Sequence, residues 1–251
     1  MIISHAHRFV FVKPMKVGGS SIENAIYPFL ENDDLVGNNG QRNLRILRDL
    51  GRTCKVEAKS HAGAAALVEQ FRRQILKYRF VSVVRNPWDR AVSLFYWHHQ
   101  DLRESPIEEV RPKFQTWVKA GNVSFDRVGS PFWGGYPAVD MIVKYEALAE
   151  GFVEVSRRLD LPGVIDTNQH LDKAGLRPSE SRDLGALYDD EAWALVDCVG
   201  AREIRMFGYG AETPQGNDRI LCEFDAFPVR RKILGRFKQE QKRKEEQRTA
   251  A

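Results

Sequence analysis

The sequence predicts an α/β fold with a central, mostly parallel sheet flanked by helices. Apolar runs rich in β-branched and aromatic residues predict three buried strands, at 9–12, 80–84 and 139–145. Apolar residues at helical spacing follow each run, at 22–30, 88–96 and 148–159. A strand followed by a helix, three times over, is the pattern of parallel strands joined by helical crossovers. At 251 residues the chain is long enough for one such domain with a tail.

The first strand runs into a tight turn that begins a helix, in the segment RFVFVKPMKVGGSSIENAI. Such a turn aims backbone N–H groups at one point before a helix N-terminus, an arrangement that suits a phosphate or a sulfate. Gly18 and Gly19 allow close approach of the backbone, and Lys16 adds a full positive charge. Lys16 precedes both glycines, unlike the lysine of a Walker A loop. The alternative is an ordinary strand-to-helix turn with a solvated lysine.

Composition limits the classes of protein to consider. Hydrophobic residues make up 43% and charged residues 29%, as in ordinary globular proteins. No apolar stretch has the length of a membrane span and the first residues lack a secretory pattern, which predicts a cytoplasmic protein. Three widely spaced cysteines favour neither disulfides nor a zinc site.

The net charge of +4 is unevenly distributed. Residues 229–251 contain nine lysines and arginines against three acidic residues, a net charge of +6, which leaves −2 for the remainder. By bulk charge, the globular part is therefore not a nucleic-acid binder. We divide the chain into a domain at 1–212 and a segment at 213–251 that consists of a linker and a basic, helical tail. A solvated helix is the default for this tail, and its apolar residues leave room for a partner or an anionic membrane surface.

A histidine precedes the next predicted helix. The polar segment 31–43 predicts a surface loop, followed by a short helix at 44–50 and a short strand at 53–58. Apolar spacing from Ala64 predicts a helix of about four turns with Ser60 as its N-cap, which puts His61 in the first turn. The helix N-terminus disfavours imidazolium, so His61 would be neutral, as a general base must be. The alternative is a histidine exposed to water.

The second informative segment is RFVSVVRNPWDRAVSLFYW at 79–97. Asn86 is the expected N-cap of a helix with Pro87 at its first position. Arg85 lies at the carboxyl end of the strand, where ligands of parallel sheets gather, and with Ser93 it can hold one phosphate. The alternative is that Arg85 pairs with Asp89 and closes the turn.

The rest of the chain gives weaker signals. We expect a loop or broken helix at 102–112 and a helix at 114–120. Trp133 and Tyr136 either stack on a sugar or a base, or pack as a lid. Lys173 and Arg177 are possible anion contacts in a polar segment with turn chemistry. A last core helix, around 192–199, precedes a linker at 213–228.

Several motifs together carry a family resemblance. FVFVKPMKVGGSSI, at 9–22, is similar to F-x-F-x-H-x-P-K-T-x-G-T-S-I, and VVRNPWDRAVSLF, at 83–95, is similar to V-R-N-P-Y-D-R-x-V-S-x-Y. KSHAGAAALV, IVKYEAL and FGY also occur in the expected order. Over about residues 8–210 the chain thus resembles the sulfotransferases that use 3′-phosphoadenosine 5′-phosphosulfate (PAPS), in the branch acting largely on carbohydrates. Lys13 or Pro14 stands where that motif has histidine, and Val17 where it has threonine.

The resemblance implies a P-loop-like nucleotide-binding sulfotransferase fold and a role for each matching residue. Lys16 would contact the bridging oxygen and the 5′-phosphate, and His61 would be the general base. Arg85 and Ser93 would hold the 3′-phosphate, and Lys173 belongs to a loop that closes over the nucleotide. The phosphosulfate would be cradled by the backbone N–H groups of Val17, Gly18, Gly19 and Ser20 with the hydroxyls of Ser20 and Ser21.

The expected activity is transfer of a sulfuryl group from PAPS to a hydroxyl acceptor, a carbohydrate or a glycolipid, without a metal. His98, His99 and Glu57 are alternative bases. Two other functions stay open at this point. One is an ATP-dependent phosphoryl transferase, and the other is a non-catalytic nucleotide- or glycan-binding module assembled through the tail.

Overall fold

Seven strands form one mixed sheet in the computed structural model, which describes residues 1–38, 41–57, 61–126, 129–170 and 177–249. The strands of the sheet are β1 (Ile2–Ser4), β2 (Phe9–Phe11), β3 (Leu35–Gly37), β4 (Lys55–Glu57), β5 (Arg79–Val84), β8 (Met141–Lys144) and β9 (Leu221–Glu223). A separate hairpin pairs β6 (Phe132–Trp133) with β7 (Tyr136–Pro137). The sheet order is β4-β3-β1-β2-β5-β8-β9. All strands of the sheet except β1 and β9 run in one direction, which confirms a mostly parallel α/β sheet.

The helices connect and cover these strands. The α-helices are α1 (Gly19–Ile26), α2 (Gln41–Asp49), α3 (Ala64–Phe71), α4 (Pro87–His98), α5 (Ile107–Lys119), α6 (Leu148–Arg158), α7 (Asp190–Phe207) and α8 (Phe227–Thr249). Short 3₁₀ helices occupy Tyr27–Phe29, Arg72–Gln74, Gln100–Glu104, Tyr145–Ala147, Thr167–His170, Ser179–Arg182 and Leu184–Ala186.

Alternating side chains of the strands divide the apolar interior into two cores. Phe9 and Phe11 of β2 face a core shared with α1 and α6. Val10 and Val12 face the opposite core, to which α3, α4, α5, α7 and α8 contribute. Because successive residues of a strand point to opposite faces, one short apolar run supplies both cores. The result is a sheet with helices on both faces.

Two strands lie where the sequence predicts a loop or a linker. Strand β3 falls within the predicted loop 31–43, and its residues are buried against β1. The polar side chain of Asp34 accepts hydrogen bonds from the Ser4 hydroxyl at 3.0 Å and from the His5 N–H at 2.6 Å. Strand β9 falls within the predicted linker 213–228 and pairs with β8. The division at residue 212 stays a prediction, but chain on both sides of it contributes to one sheet.

Helix α5 runs through the region predicted to be a loop or broken helix. Pro112 lies inside it and lacks the N–H that would bond the Glu108 carbonyl. Both residues are exposed, so that carbonyl can bond water instead. Helix α3, by contrast, is shorter than predicted. It ends at Phe71, where Arg72 has a positive φ of 51° that does not continue a right-handed helix.

The basic tail is helical, as predicted, and its first half is docked on the domain. Ile233 and Leu234 are buried, and they belong to the same core as Phe80. Arg230 is also buried, and its guanidinium bonds the Asp140 carboxylate at 2.8 Å. None of the helices within the described residues is long and apolar enough to cross a lipid bilayer.

Candidate functional site

The turn between β2 and α1 has an unusual backbone. Lys16 has φ of 63° and Gly18 has φ of 73°, both in the left-handed region. For a lysine this conformation is strained, and such strain clusters at functional sites. Gly18 is the N-cap of α1, with no side-chain cap bond to the first turn. The turn therefore has the arrangement that the sequence predicts, with backbone N–H groups before a helix N-terminus.

Lys13 lies beneath this turn and braces it. Its ammonium bonds the Glu23 carboxylate at 2.5 Å, and both side chains are buried. The other Glu23 oxygen accepts from the Met1 amino group at 2.7 Å. A Cβ atom on Gly19 would lie 2.7 Å from both Cγ and Cε of Lys13. Only glycine fits there, because a Cβ at that distance overlaps the lysine side chain.

Arg85 joins the second motif to the first. One guanidinium N–H group donates to the Lys16 carbonyl oxygen at 3.0 Å, and the Tyr145 ring lies 4.2 Å from the guanidinium carbon. Arg85 also bonds Asp89 at 2.5 Å, the pairing that the sequence left as an alternative. Asp89 bonds Arg177 as well. Burial alone would raise the pKa of Asp89, but the two arginines outweigh it and hold that pKa below its usual value.

Glu146 fixes the turn that carries Arg85. One of its carboxylate oxygens accepts from the Asn86 N–H at 2.7 Å, and the other accepts from the Tyr209 hydroxyl at 2.9 Å. Burial raises the pKa of the Glu146 carboxyl. The Asn86 side chain caps α4 through the Asp89 N–H at 3.1 Å, as predicted. The IVKYEAL and FGY segments therefore meet at this glutamate and support the Arg85 turn.

His61 does not lie in the first turn of a helix, as the sequence predicted. Helix α3 begins at Ala64 with Gly63 as its N-cap, and the predicted N-cap, Ser60, lies outside the described residues. Instead, Nδ1 of His61 lies 3.0 Å from the Lys13 carbonyl oxygen. Because a carbonyl can only accept, Nδ1 carries the proton, and Nε2 of the neutral ring has a lone pair.

The neutral form of His61 is favoured mainly by burial, and not by the helix dipole that the sequence predicted. Burial lowers the pKa of His61 below the ordinary value of 6.5, and it outweighs the hydrogen bond to the Lys13 carbonyl. The positive charge of Lys13 acts in the same direction as burial. A neutral imidazole near pH 7 is the form that a general base requires.

One pocket of about 230 Å³ brings the two motifs together. It is lined by the predicted residues Lys16, Gly18, Gly19, Ser20, Ser21, His61, Arg85 and Ser93. Trp97 also lines it, with the Lys16 ammonium 4.7 Å from the centre of one of its rings. The remaining lining residues are Lys13, Pro14, Met15, Tyr145, Leu148 and Thr167.

Some predicted residues lie elsewhere. Val17 was assigned only a backbone N–H, and its side chain is buried in the core with α1 rather than lining the pocket. Lys173 lies outside the described residues. Trp133 and Tyr136 belong to the β6–β7 hairpin, and neither lines this pocket.

Sequence reasoning missed Lys13 and Tyr145 as parts of the site. A lysine directly after an apolar strand run was a signal for Lys13, since a buried charge needs a buried partner. Tyr145 directly follows β8, at the carboxyl end of a parallel strand, where ligands gather. It packs close to Gly18, where an added Cβ would lie 3.0 Å from its ring.

None of the three alternative bases (His98, His99 and Glu57) lines this pocket. His99 stacks on Phe95 and bonds its carbonyl oxygen at 3.0 Å. The Glu57 carboxylate accepts from Gln70 at 3.1 Å. His98 lines a neighbouring pocket that includes Lys16. Within the described ranges, no group of three or more His, Cys, Asp and Glu residues is placed to hold a metal ion.

Comparisons of the chain with protein-family models, with curated proteins and with solved structures gave no match. The geometry of the pocket is therefore the basis for the function considered next.

Proposed function

We propose that this protein is a sulfotransferase that moves a sulfuryl group from PAPS to a hydroxyl acceptor, on a P-loop-like nucleotide-binding sulfotransferase fold. One observation carries the proposal: two distant segments of the chain line one pocket together with His61. The segments are the Lys16–Ser21 turn and Arg85–Ser93, and Lys16 and Arg85 are 69 positions apart in the sequence. A donor with phosphates at both ends of its ribose needs two such anion sites.

The lining of the pocket fits a donor with several negative charges. It contains Lys13, Lys16, Arg85 and His61, and no aspartate or glutamate is among the described residues that line it. Lys13 is buried and holds the Glu23 carboxylate, and Lys16 and Arg85, on the two motifs, are the cations assigned to the donor. Lys16 and the backbone N–H groups of the turn would bind the phosphosulfate end. Arg85 and Ser93 would bind the 3′-phosphate, with Asp89 holding the guanidinium in position.

Transfer of the sulfuryl group leaves negative charge on the departing phosphate oxygen. Preorganised donors aimed at such a charge stabilise the transition state, and loss of one typically lowers the rate by about 10²–10³. The left-handed backbone at Lys16 and Gly18 fixes these donors before the ligand arrives. His61 would accept the acceptor's proton at Nε2, since its Nδ1–H is held by the Lys13 carbonyl.

Calorimetry with 3′-phosphoadenosine 5′-phosphate, the product nucleotide, tests the donor assignment. We expect binding by the wild-type protein and a loss of affinity in Arg85→Ala. Arg79→Ala is the matched control, because Arg79 begins the strand that Arg85 follows and lies at its other end. A folded protein that does not bind this nucleotide would refute the proposal.

Turnover with radiolabelled PAPS and a panel of hydroxyl compounds tests the reaction. Lys16→Ala should lower turnover by about 10²–10³, and His61→Ala by about 10²–10⁴. Lys55→Ala, an exposed lysine on edge strand β4, should leave turnover unchanged. If His61→Ala keeps near-normal turnover, the role of base moves to another residue.

The same assays separate the alternatives. Magnesium-dependent binding of ATP in place of the product nucleotide would favour a phosphoryl transferase. Nucleotide binding without turnover, lost on removal of residues 242–251, would favour a binding module assembled through the tail, because this truncation keeps the docked half of α8. A carbohydrate or glycolipid as the acceptor, a metal-free reaction and a cytoplasmic location stay predictions from the sequence.

A further inference from the structure

A second cavity, of about 180 Å³, adjoins the proposed donor pocket. Met15 and Lys16 line both cavities, so the two meet at the lysine that we assign to the transferred group. The other residues that line it are Arg90, Leu94, His98, Asn122 and Ser124. Residues 90, 94 and 98 are successive positions on one side of α4, whereas Ser93 and Trp97 face the donor pocket.

The polar groups of this cavity are suited to a negative charge. Three basic side chains line it (Lys16, Arg90 and His98), together with one amide and one hydroxyl, and no carboxylate is among its described lining residues. Asn122 donates to the Trp117 carbonyl at 3.0 Å, which leaves its side-chain oxygen for a ligand hydroxyl. A neutral ligand would need neither the guanidinium nor the ammonium.

Arg90 is the strongest sign of an anionic ligand. It is 6% exposed, and its guanidinium donates to the carbonyl oxygens of Met15 at 2.9 Å and Phe125 at 3.4 Å. In the part of the chain that the structure describes, no carboxylate forms an ion pair with it. The nearby Asp126 and Glu203 bond Arg202 instead, at 2.7 and 2.9 Å.

The hydrogen bonds of buried Arg90 go to carbonyl oxygens, and its guanidinium carbon lies 4.7 Å from the centre of the Phe125 ring. The charges of Glu203 and Asp126 favour its charged form but make no ion pair with it, so they balance the cost of its desolvation only in part. Burial lowers the pKa of Arg90 to about 10, against the opposing effect of the Glu203 and Asp126 charges. An anion in the cavity would offset part of that cost.

We propose that this cavity binds an anionic group of the acceptor, a carboxylate or a sulfate or phosphate ester, next to the hydroxyl that receives the sulfuryl group. The inference rests on the proposed function and narrows its substrate class. Arg90 would hold the anion, with His98 at the rim, while Asn122 and Ser124 bond neighbouring hydroxyls. The acceptor's reacting hydroxyl would then lie at the boundary formed by Met15 and Lys16.

Binding of matched probes tests this directly. Methyl glucuronide and methyl glucoside differ only in a carboxylate against a hydroxymethyl group, and glucose 6-phosphate adds the ester form of the charge. In calorimetry on the full chain, saturated with 3′-phosphoadenosine 5′-phosphate, we expect an anionic probe to bind about tenfold or more tightly than methyl glucoside. The difference in affinity between the anionic probe and methyl glucoside should become smaller as the salt concentration is raised. If methyl glucuronide binds more tightly than glucose 6-phosphate, the cavity is a carboxylate site, and the reverse order indicates a site for a phosphate or sulfate ester.

Variants locate the site. Arg90→Lys retains a charge but loses the fork that reaches two carbonyls, so circular dichroism must show that it folds. His98→Gln, at an exposed position, avoids that risk and should weaken the anionic probe severalfold without changing methyl glucoside binding. His99→Gln is the matched control, because the neighbouring His99 does not line this cavity.

The outcomes separate this inference from the proposed function. Nucleotide binding with equal affinity for the charged and neutral probes, or an anionic preference unchanged in both Arg90→Lys and His98→Gln, overturns the inference and leaves the donor assignment intact. A preference for the anionic probe in a protein that does not bind the nucleotide retains the anion site but removes its role in sulfuryl transfer.

Discussion

A methyl group added at Gly19 tests whether the turn depends on the buried Lys13. A Cβ atom at this position would lie 2.7 Å from Cγ, 3.1 Å from Cδ and 2.7 Å from Cε of Lys13. The lysine side chain cannot swing aside freely, since its ammonium is bonded to Glu23 at 2.5 Å inside the protein. Gly19→Ala must therefore move either the turn or this ion pair.

The expected loss of stability follows from these two routes. Small-to-large substitutions in a packed interior typically cost about 1–3 kcal/mol. Breaking a buried ion pair costs more, about 3–5 kcal/mol. Because displacing the turn costs less than breaking the ion pair, we expect Gly19→Ala to lower the free energy of unfolding by about 1–3 kcal/mol. It should also weaken nucleotide binding, because the displaced turn carries the N–H donors.

Urea unfolding followed by circular dichroism measures the effect, with unchanged slopes showing that the unfolded states are comparable. Gly235→Ala is the matched control. Gly235 lies inside α8 with no heavy atom near the added Cβ, so alanine there should stabilise the protein by about 0.5–1 kcal/mol.

A double-mutant cycle identifies the cause. Lys13→Ala removes all three methylenes that the new Cβ would meet, while Glu23 keeps its bond to the Met1 amino group. In that background Gly19→Ala should cost less than about 0.5 kcal/mol, which gives a coupling energy of at least about 0.5 kcal/mol. An equal cost in both backgrounds would refute the reasoning.

Three further predictions concern other contacts. Because burial lowers the pKa of His61 below 6.5, the acid limb of the kcat/KM profile, which reports the free enzyme, should have its midpoint below pH 6.5; a midpoint at higher pH contradicts this. Arg230→Met removes the buried partner of Asp140 and should cost about 3–5 kcal/mol in urea unfolding, and a loss below about 1 kcal/mol would show that the tail is not anchored there. Tyr209→Phe removes a donor from half-buried Glu146 and should cost about 1–3 kcal/mol in the same assay, and unchanged stability would contradict this.

The elements that the sequence predicted well are those with strong local signals. Strand β5 and helix α4 follow from the mostly apolar run at 80–84, an Asn86 cap and Pro87 at the first helical position. Each of these signals acts within a few residues, so no tertiary knowledge is needed. Lys16 and Arg85 follow the carboxyl ends of two parallel strands, β2 and β5, which pair directly. This position alone predicts that they line one pocket, as the structure shows.

The elements that the sequence missed are held by distant partners. Strand β3 is three residues long and pairs with β1, and Asp34 next to it bonds Ser4 and His5, which are 30 and 29 positions away. Strand β9 lies in a polar segment and is defined by its pairing with β8. Such short strands have no usable periodicity, so only tertiary context reveals them.

His61 shows how a site can gain a predicted property through a different cause. The sequence assigned a neutral imidazole to a helix dipole, whereas here burial, the Lys13 charge and the Lys13 carbonyl act on the ring. The same lysine packs its side chain against Gly19 in the anion-binding turn. The proposed base and the proposed donor turn are therefore supported by one residue, and a movement of Lys13 would disturb both. The link between His61 and the turn consists of a contact to the Lys13 backbone carbonyl and contacts to the Lys13 methylene groups. The positions of charged residues in the sequence do not reveal contacts of this kind.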